Sequence, residues 1–124
     1  MYYQNEGKDM ANTIYDKSII EMLSLFLLRS EDLYAYQIMK KINSMSGGIL
    51  EVQGGSLYPI LYKLTEKGYI SDRVESFGKR GRMTHVFYHL TPPGESYLNE
   101  LIARNEVVQT GIQNVFHSVE EGEA

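Results

Sequence analysis

A mainly α-helical fold carrying one small β-hairpin is predicted by three features of the chain. Residues 16–67 hold three apolar segments of helical period, residues 69–90 switch to period two, and a last helical stretch repeats its apolar positions at spacings of three and four. With 124 residues, 43% hydrophobic and 23% charged, the chain fits one soluble domain and no second one.

The elements follow in order. Residues 1–15 are polar and aperiodic, and read as a flexible N-terminal arm. Asp16 supplies an N-cap for a first helix from Ile19 to Leu28, interrupted only by Glu21 and Ser24, so that most of its circumference should be buried. A second helix, Tyr34 to Met45, groups Ile38, Met39 and Ile42 against Lys40, Lys41 and Asn43, and ends at Ser46-Gly47-Gly48. An extended piece, Ile49 to Gln53, leads into a third helix capped by Ser56, with Pro59 in its first turn and Gly68 at the left-handed exit. YISDRVES and MTHVFYHL then alternate around FGKRGR, a hairpin with a basic tip; Val86, Tyr88 and Leu90 share one face, His85, Phe87 and His89 the other. Thr91 caps the last helix, with Pro92 at its first position. This order outlines a winged helix-turn-helix over 16–91, a long C-terminal helix over 92–119, and a frayed tail at 120–124.

At 100° per residue, Leu57, Ile60, Leu61 and Leu64 gather on one side of the third helix. Pro59, Tyr62, Lys63 and Glu66 lie opposite, with Ser56 and Tyr58 at the margins. A helix start bearing a hydroxyl, two tyrosines and a lysine, entered through glycines at 54 and 55, suits a phosphate backbone and a major-groove edge. Lys79, Arg80 and Arg82 at the hairpin tip can straddle phosphates. Charge is distributed accordingly. Net charge is −4, yet residues 54–91 carry six basic and three acidic side chains, against one and six over 92–124. The bland alternative leaves the tyrosines packed and the cations merely solvated.

Catalysis finds no support. The histidines His85, His89 and His117 make no zinc-binding helix motif, and neither a nucleophile elbow nor a phosphate loop is present. Zero cysteines exclude disulfides and thiolate metal sites. No metal or cofactor is expected. The longest apolar stretch is too short to span a bilayer and no signal sequence is evident, so a cytoplasmic location is expected.

Leu98, Leu101, Asn105, Val108, Ile112, Val115 and Val119 form a heptad seam, with a polar residue at Asn105 of the kind that fixes register between paired helices. The seam can serve a second chain, the first helix, or both.

The run GGSLYPILYKLTEKGYI, the basic hairpin and FYHLTPPGESYL resemble the PadR family of winged-helix transcriptional regulators. The resemblance spans residues 17–119 and rests on Gly55, Ser56, Leu57, Tyr58, Pro59 and Leu61, then Leu64, Gly68 and Ile70, then Tyr88, Leu90, Thr91 and Gly94. It departs from the family pattern at Ala35, His85 and Pro92-Pro93. What it implies is a repressor that binds a palindromic operator as a homodimer, reads DNA with the third helix and wing, and dimerises through its last and first helices. Some members bind flat aromatic effectors on tryptophan. This chain has no Trp, which leaves Tyr15, Phe26 and Tyr97, with Phe116, as aromatic candidates. The competing reading is a winged-helix module that docks a protein partner.

Overall fold

The computed structural model describes residues 12–13 and 16–122. Its elements are β1 (Asn12–Thr13), α1 (Lys17–Ser30), β2 (Leu33–Tyr34), α2 (Ala35–Met45), β3 (Leu50–Glu51), α3 (Gly54–Glu66), β4 (Ile70–Phe77), β5 (Met83–Leu90) and α4 (Pro92–Glu120), with a 3-10 turn at Lys79–Gly81. Among the described residues no helix is long and apolar enough to cross a membrane.

Asp16 opens α1 as its spacing predicts. Its carboxylate accepts from the amides of Ser18 at 2.9 Å and Ile19 at 3.4 Å and from the Ser18 hydroxyl at 2.7 Å, and the Ser18 hydroxyl contact foremost holds the Asp16 pKa below the usual carboxylate range. Ile20, Leu25 and Leu28 of α1 meet Ile38 and Ile42 of α2, Leu57, Ile60, Leu61 and Leu64 of α3, and Ile70, Leu98 and Leu101 in one core. The expectation of a nearly all-round buried α1 is corrected at Phe26, which is 47% exposed.

The hairpin is part of a three-stranded antiparallel sheet ordered β2-β5-β4, with β4 and β5 paired from Ile70↔Leu90 to Phe77↔Met83 and β2 from Leu33↔Tyr88 to Tyr34↔Phe87. The third strand is only two residues long, too short for period-two alternation to reveal it. Asn12–Thr13, within the segment expected to be a loose arm, pairs in parallel with Leu50–Glu51; the other residues of that segment lie outside the described ones. At the other end, Glu120 still belongs to α4.

Helix α3 begins three residues earlier than its sequence suggests. Gln53 is the N-cap and Gly54 the first helical residue, so Ser56 is not the cap and Pro59 sits in the second turn. Gly54 and Gly55 hide this start because glycine carries no helical signal of its own.

The base of the hairpin holds α4 in place. The Thr91 hydroxyl donates to the Gly68 carbonyl at 2.6 Å and accepts from the Gly94 amide at 3.2 Å, while the Thr91 amide donates to the Tyr69 carbonyl at 3.2 Å. Gly94 is pressed against the base of the hairpin: a Cβ built on it would stand 1.9 Å from the Tyr69 carbonyl oxygen and 2.8 Å from Leu90 Cδ1. By contrast, Gly111 in the exposed half of α4 would meet nothing within 4 Å.

Gly94→Ala is therefore expected to destabilise the fold by about 3 kcal/mol, the upper range for overpacking against unyielding backbone. Gly111→Ala should stabilise it by up to about 1 kcal/mol. Denaturant melts of both variants check the pair, and a neutral Gly94→Ala would remove the close-approach argument.

Candidate nucleic-acid interface

The period of α3 turns its leucines inward and leaves a continuous outer face. Tyr58 is 55% and Tyr62 65% exposed; Gly55, Pro59, Lys63 and Glu66 are exposed or half-buried beside them, as is Ser56. The Gln53 carbonyl already accepts from the amides of Ser56 and Leu57, each at 3.0 Å. The amides of Gly54 and Gly55, in the first turn of α3, have no helical partner, and Gln53 contributes no side-chain cap to either. Glu66, four residues on, raises the Tyr62 pKa above its ordinary value, through its carboxylate's acceptance from the hydroxyl and then its charge.

Two clefts flank this face. One, between α1 and α3, is lined by Lys17, Glu21, Gly55, Ser56, Pro59 and Lys63. The other, between the start of α2, α3 and β5, is lined by Tyr34, Tyr36, Tyr58, Thr84, Val86 and Tyr88. Lys17, Tyr36 and Thr84 thus join the residues expected from sequence. Lys40 accompanies them, its ammonium 5.7 Å from the Tyr36 ring centre. Tyr36 and Lys40 stand four apart on the polar side of α2, a signal readable in the chain but weak without the neighbouring α3. Lys17 carried no such signal, because only the packing of α1 across α3 brings it near Lys63.

At the wing tip Lys79, Arg80, Gly81 and Arg82 are exposed, with Arg80 in the left-handed region at φ 58°. Among the described residues none of Lys79, Arg80 and Arg82 forms an ion pair, whereas Arg73, lower on the same wing, is bound to Asp32 and Glu75. The wing histidines His85 and His89 are not simply solvated. His89 Nδ1 lies 2.8 Å from Asp32 Oδ1, and this contact, followed by Arg73, holds the Asp32 pKa below the usual carboxylate range. His85 is stacked between aromatic rings. No group of three metal-ligating side chains occurs among the described residues.

The heptad seam divides in two. Leu98 and Leu101 are 0% and 3% exposed and belong to the chain's own core, which removes them from any surface offered to a second chain. Asn105 is half-buried and lines a cleft with Ile19 and Met22 of α1. Val108, Ile112, Val115 and Val119 are exposed, with Val107 and Phe116 beside them. The aromatic effector candidates are not gathered at one place. Tyr15 lies outside the described residues. Phe26 lines an apolar groove between α1 and α2 with Leu23, Leu27, Ile42, Met45 and Leu50, under the Arg29 guanidinium at 4.7 Å. Tyr97 is on the α4 side of α1, its hydroxyl donating to Glu21 at 2.6 Å and its ring stacked on Tyr69 with centroids 4.3 Å apart.

A recognition-type helix, a cationic wing and an appended long helix define a winged helix-turn-helix regulator as the class of protein. The chain belongs to the Transcriptional regulator PadR-like family, whose model matches residues 24–100. It is similar to the Negative transcriptional regulator PadR of Bacillus subtilis (strain 168), with 26% identity over 98 residues that cover 79% of this chain and 53% of the relative. The chain thus spans about half the length of that relative. Among solved structures, a protein of Streptococcus mutans UA159 shares 31% identity with a TM-score of 0.67, covering 88% of this chain and 92% of that one. Bacillus subtilis PadR in complex with operator DNA shares 27% identity with a TM-score of 0.61, over 68% of this chain and 45% of that one.

Burial foremost, then the bond to Glu21, pushes the Tyr97 pKa up to about 12. A raised tyrosine pKa contributes stability that is fully present below the unfolded value near 10 and is lost as pH rises through about 12. Melting temperatures measured from pH 9 to 12 should fall more steeply for the native chain than for Tyr97→Phe; parallel curves would show that Tyr97 is not the titrating lock between α1 and α4.

Proposed function

We propose that the chain is a sequence-specific DNA-binding repressor that acts as a homodimer on a palindromic operator. The observation that carries the reading is the outer face of α3, Gly55, Ser56, Tyr58, Pro59, Tyr62 and Lys63, standing on one fold with the cations Lys79, Arg80 and Arg82, which form no ion pair among the described residues. In this assignment residues 16–91 bind DNA: α3 enters the major groove, α3's amides and Lys17 take phosphates, and the wing tip follows the adjacent backbone. The acidic remainder of a chain with net charge −4 limits indiscriminate polyanion binding. The similar Bacillus subtilis protein is named a negative regulator and has been solved on operator DNA, which supports the same role here.

Dimerisation falls to the free half of α4. Val108, Ile112, Val115 and Val119, with Asn105 at the edge, form an apolar stripe on an exposed helix, and a second copy of the same stripe is its natural cover. The groove around Phe26, between α1 and α2, is a separate apolar surface that a second copy can meet. A planar aromatic effector that binds near α1 and α4 and releases the operator completes the reading. Of the aromatic candidates, Phe26 and Phe116 retain accessible rings, and Tyr97 is already committed to Glu21 and Tyr69. The protein acts in the cytoplasm without cofactor, metal or enzymatic activity.

Footprinting on DNA upstream of the chain's own gene should protect an inverted repeat with half-sites about 34 Å apart. Neutralising Lys79, Arg80 and Arg82 together should flatten the dependence of log K on log salt by about 0.9 for each phosphate that they neutralise in the native complex. Tyr58→Ala and Lys63→Ala should weaken operator binding more than bulk-DNA binding. Salt-independent binding of an acidic protein with no footprint would favour a protein-docking module instead. Sedimentation at micromolar concentration should give twice the chain mass, and Ile112→Lys should return the monomer; a native monomer would remove the dimer.

A further inference from the structure

The wing is longer than its support. β4 and β5 each run eight residues, but β2 pairs only with Phe87 and Tyr88, so the half of the hairpin nearest the tip has no third strand. A two-stranded ribbon is marginal in water without a packed face. Here that face is aromatic. The Tyr34 ring reaches past the end of β2 and stacks on His85, with centroids 3.7 Å apart and planes 7° from parallel. His85 in turn stacks on Phe77 at 4.3 Å and 18°, the diagonal neighbour on β4. Phe87 stands edge-on to both Tyr34 and His85, beneath the Arg73 guanidinium at 5.2 Å. Asp32 and Glu75 fix Arg73 from either side.

Tyr34 is the N-cap residue of α2, and Phe77 is the last residue before Gly78 and the basic tip. The three stacked rings therefore run without a gap from the start of the helix-turn-helix to the base of Lys79, Arg80 and Arg82. We infer that the Tyr34–His85–Phe77 stack is a strut that holds the cationic tip at a fixed place relative to α2 and α3, with His85 as its positioning residue. The inference rests on the DNA-binding reading for the purpose of the strut, but its mechanical content does not depend on DNA. His85 occupies the middle of the stack with an aromatic ring on each face, so its contribution is a flat plate of the right thickness rather than a charge offered to phosphate.

Phenylalanine supplies a similar plate, and alanine supplies none. In the DNA-free chain the bonds after Lys79, Arg80 and Arg82 are trypsin sites on the tip, and cleavage there reports local opening. His85→Ala should be cut at the tip several times faster than the native chain, and His85→Phe at the native rate. Cleavage after Lys63, inside α3, should stay equal in all three, which excludes general unfolding. On operator DNA, removal of a stacked ring should weaken binding about three- to tenfold in His85→Ala. That effect should vanish when Lys79, Arg80 and Arg82 are already alanine, because the strut then positions nothing. Native cleavage rates at the tip in His85→Ala would overturn the strut. So would an equal drop in affinity in both backgrounds, which would mean that His85 acts without the tip. Should the native chain bind no DNA, the cleavage pattern alone decides the strut, while the DNA-binding reading falls.

Discussion

The fold depends on how closely the first turn of α4 can approach the base of the hairpin. Gly94 lies against the Tyr69 carbonyl with no room for a methyl group, and the Thr91 hydroxyl ties the end of α3's exit to the start of α4. This junction decides where Leu98 and Leu101 enter the core, and through them where α1 lies. It also fixes the ends of both long strands, Ile70 and Leu90, from which the wing projects. A single hydroxyl that donates on one side and accepts on the other thus sets the angle between the long helix and the sheet.

Much of this was legible in the chain because periodicity survives wherever an element has a buried and an exposed side. The inward leucines of α3, the cap at Asp16 and the cap at Thr91 all fall where their spacing places them. What was illegible has a physical reason in each case. Leu33–Tyr34 is too short to display alternation, so the third strand, and with it the partner of His85, left no trace. The two glycines before Ser56 disguise two helical residues as a loop. The heptad of α4 is a true repeat that serves two masters. Its first members are consumed by the chain's own core, and only the later ones remain outside, a division that depends on where α1 begins rather than on α4.

Electrostatics at the interface is governed by pairing more than by number. Arg73 is as cationic as Arg80 or Arg82, yet two carboxylates occupy it and turn it into a structural member of the wing. Lys41 is similarly engaged by Glu31 at 3.4 Å. Lys79, Arg80 and Arg82 at the tip, and Lys17 and Lys63 along the α1–α3 cleft, have by contrast no ion pair among the described residues.

Pro59 adds a property to the outer face of α3 that its cations and amides lack. A proline in the second turn cannot return a hydrogen to the carbonyl four residues back, and that carbonyl belongs to Gly55, a residue with open space where a side chain would be. The first turn of α3, whose amides precede the helical ladder, therefore also holds a carbonyl without its regular donor four residues on. One stretch of backbone thus leaves both donors and an acceptor outside the helical ladder, and no side chain is spent on either.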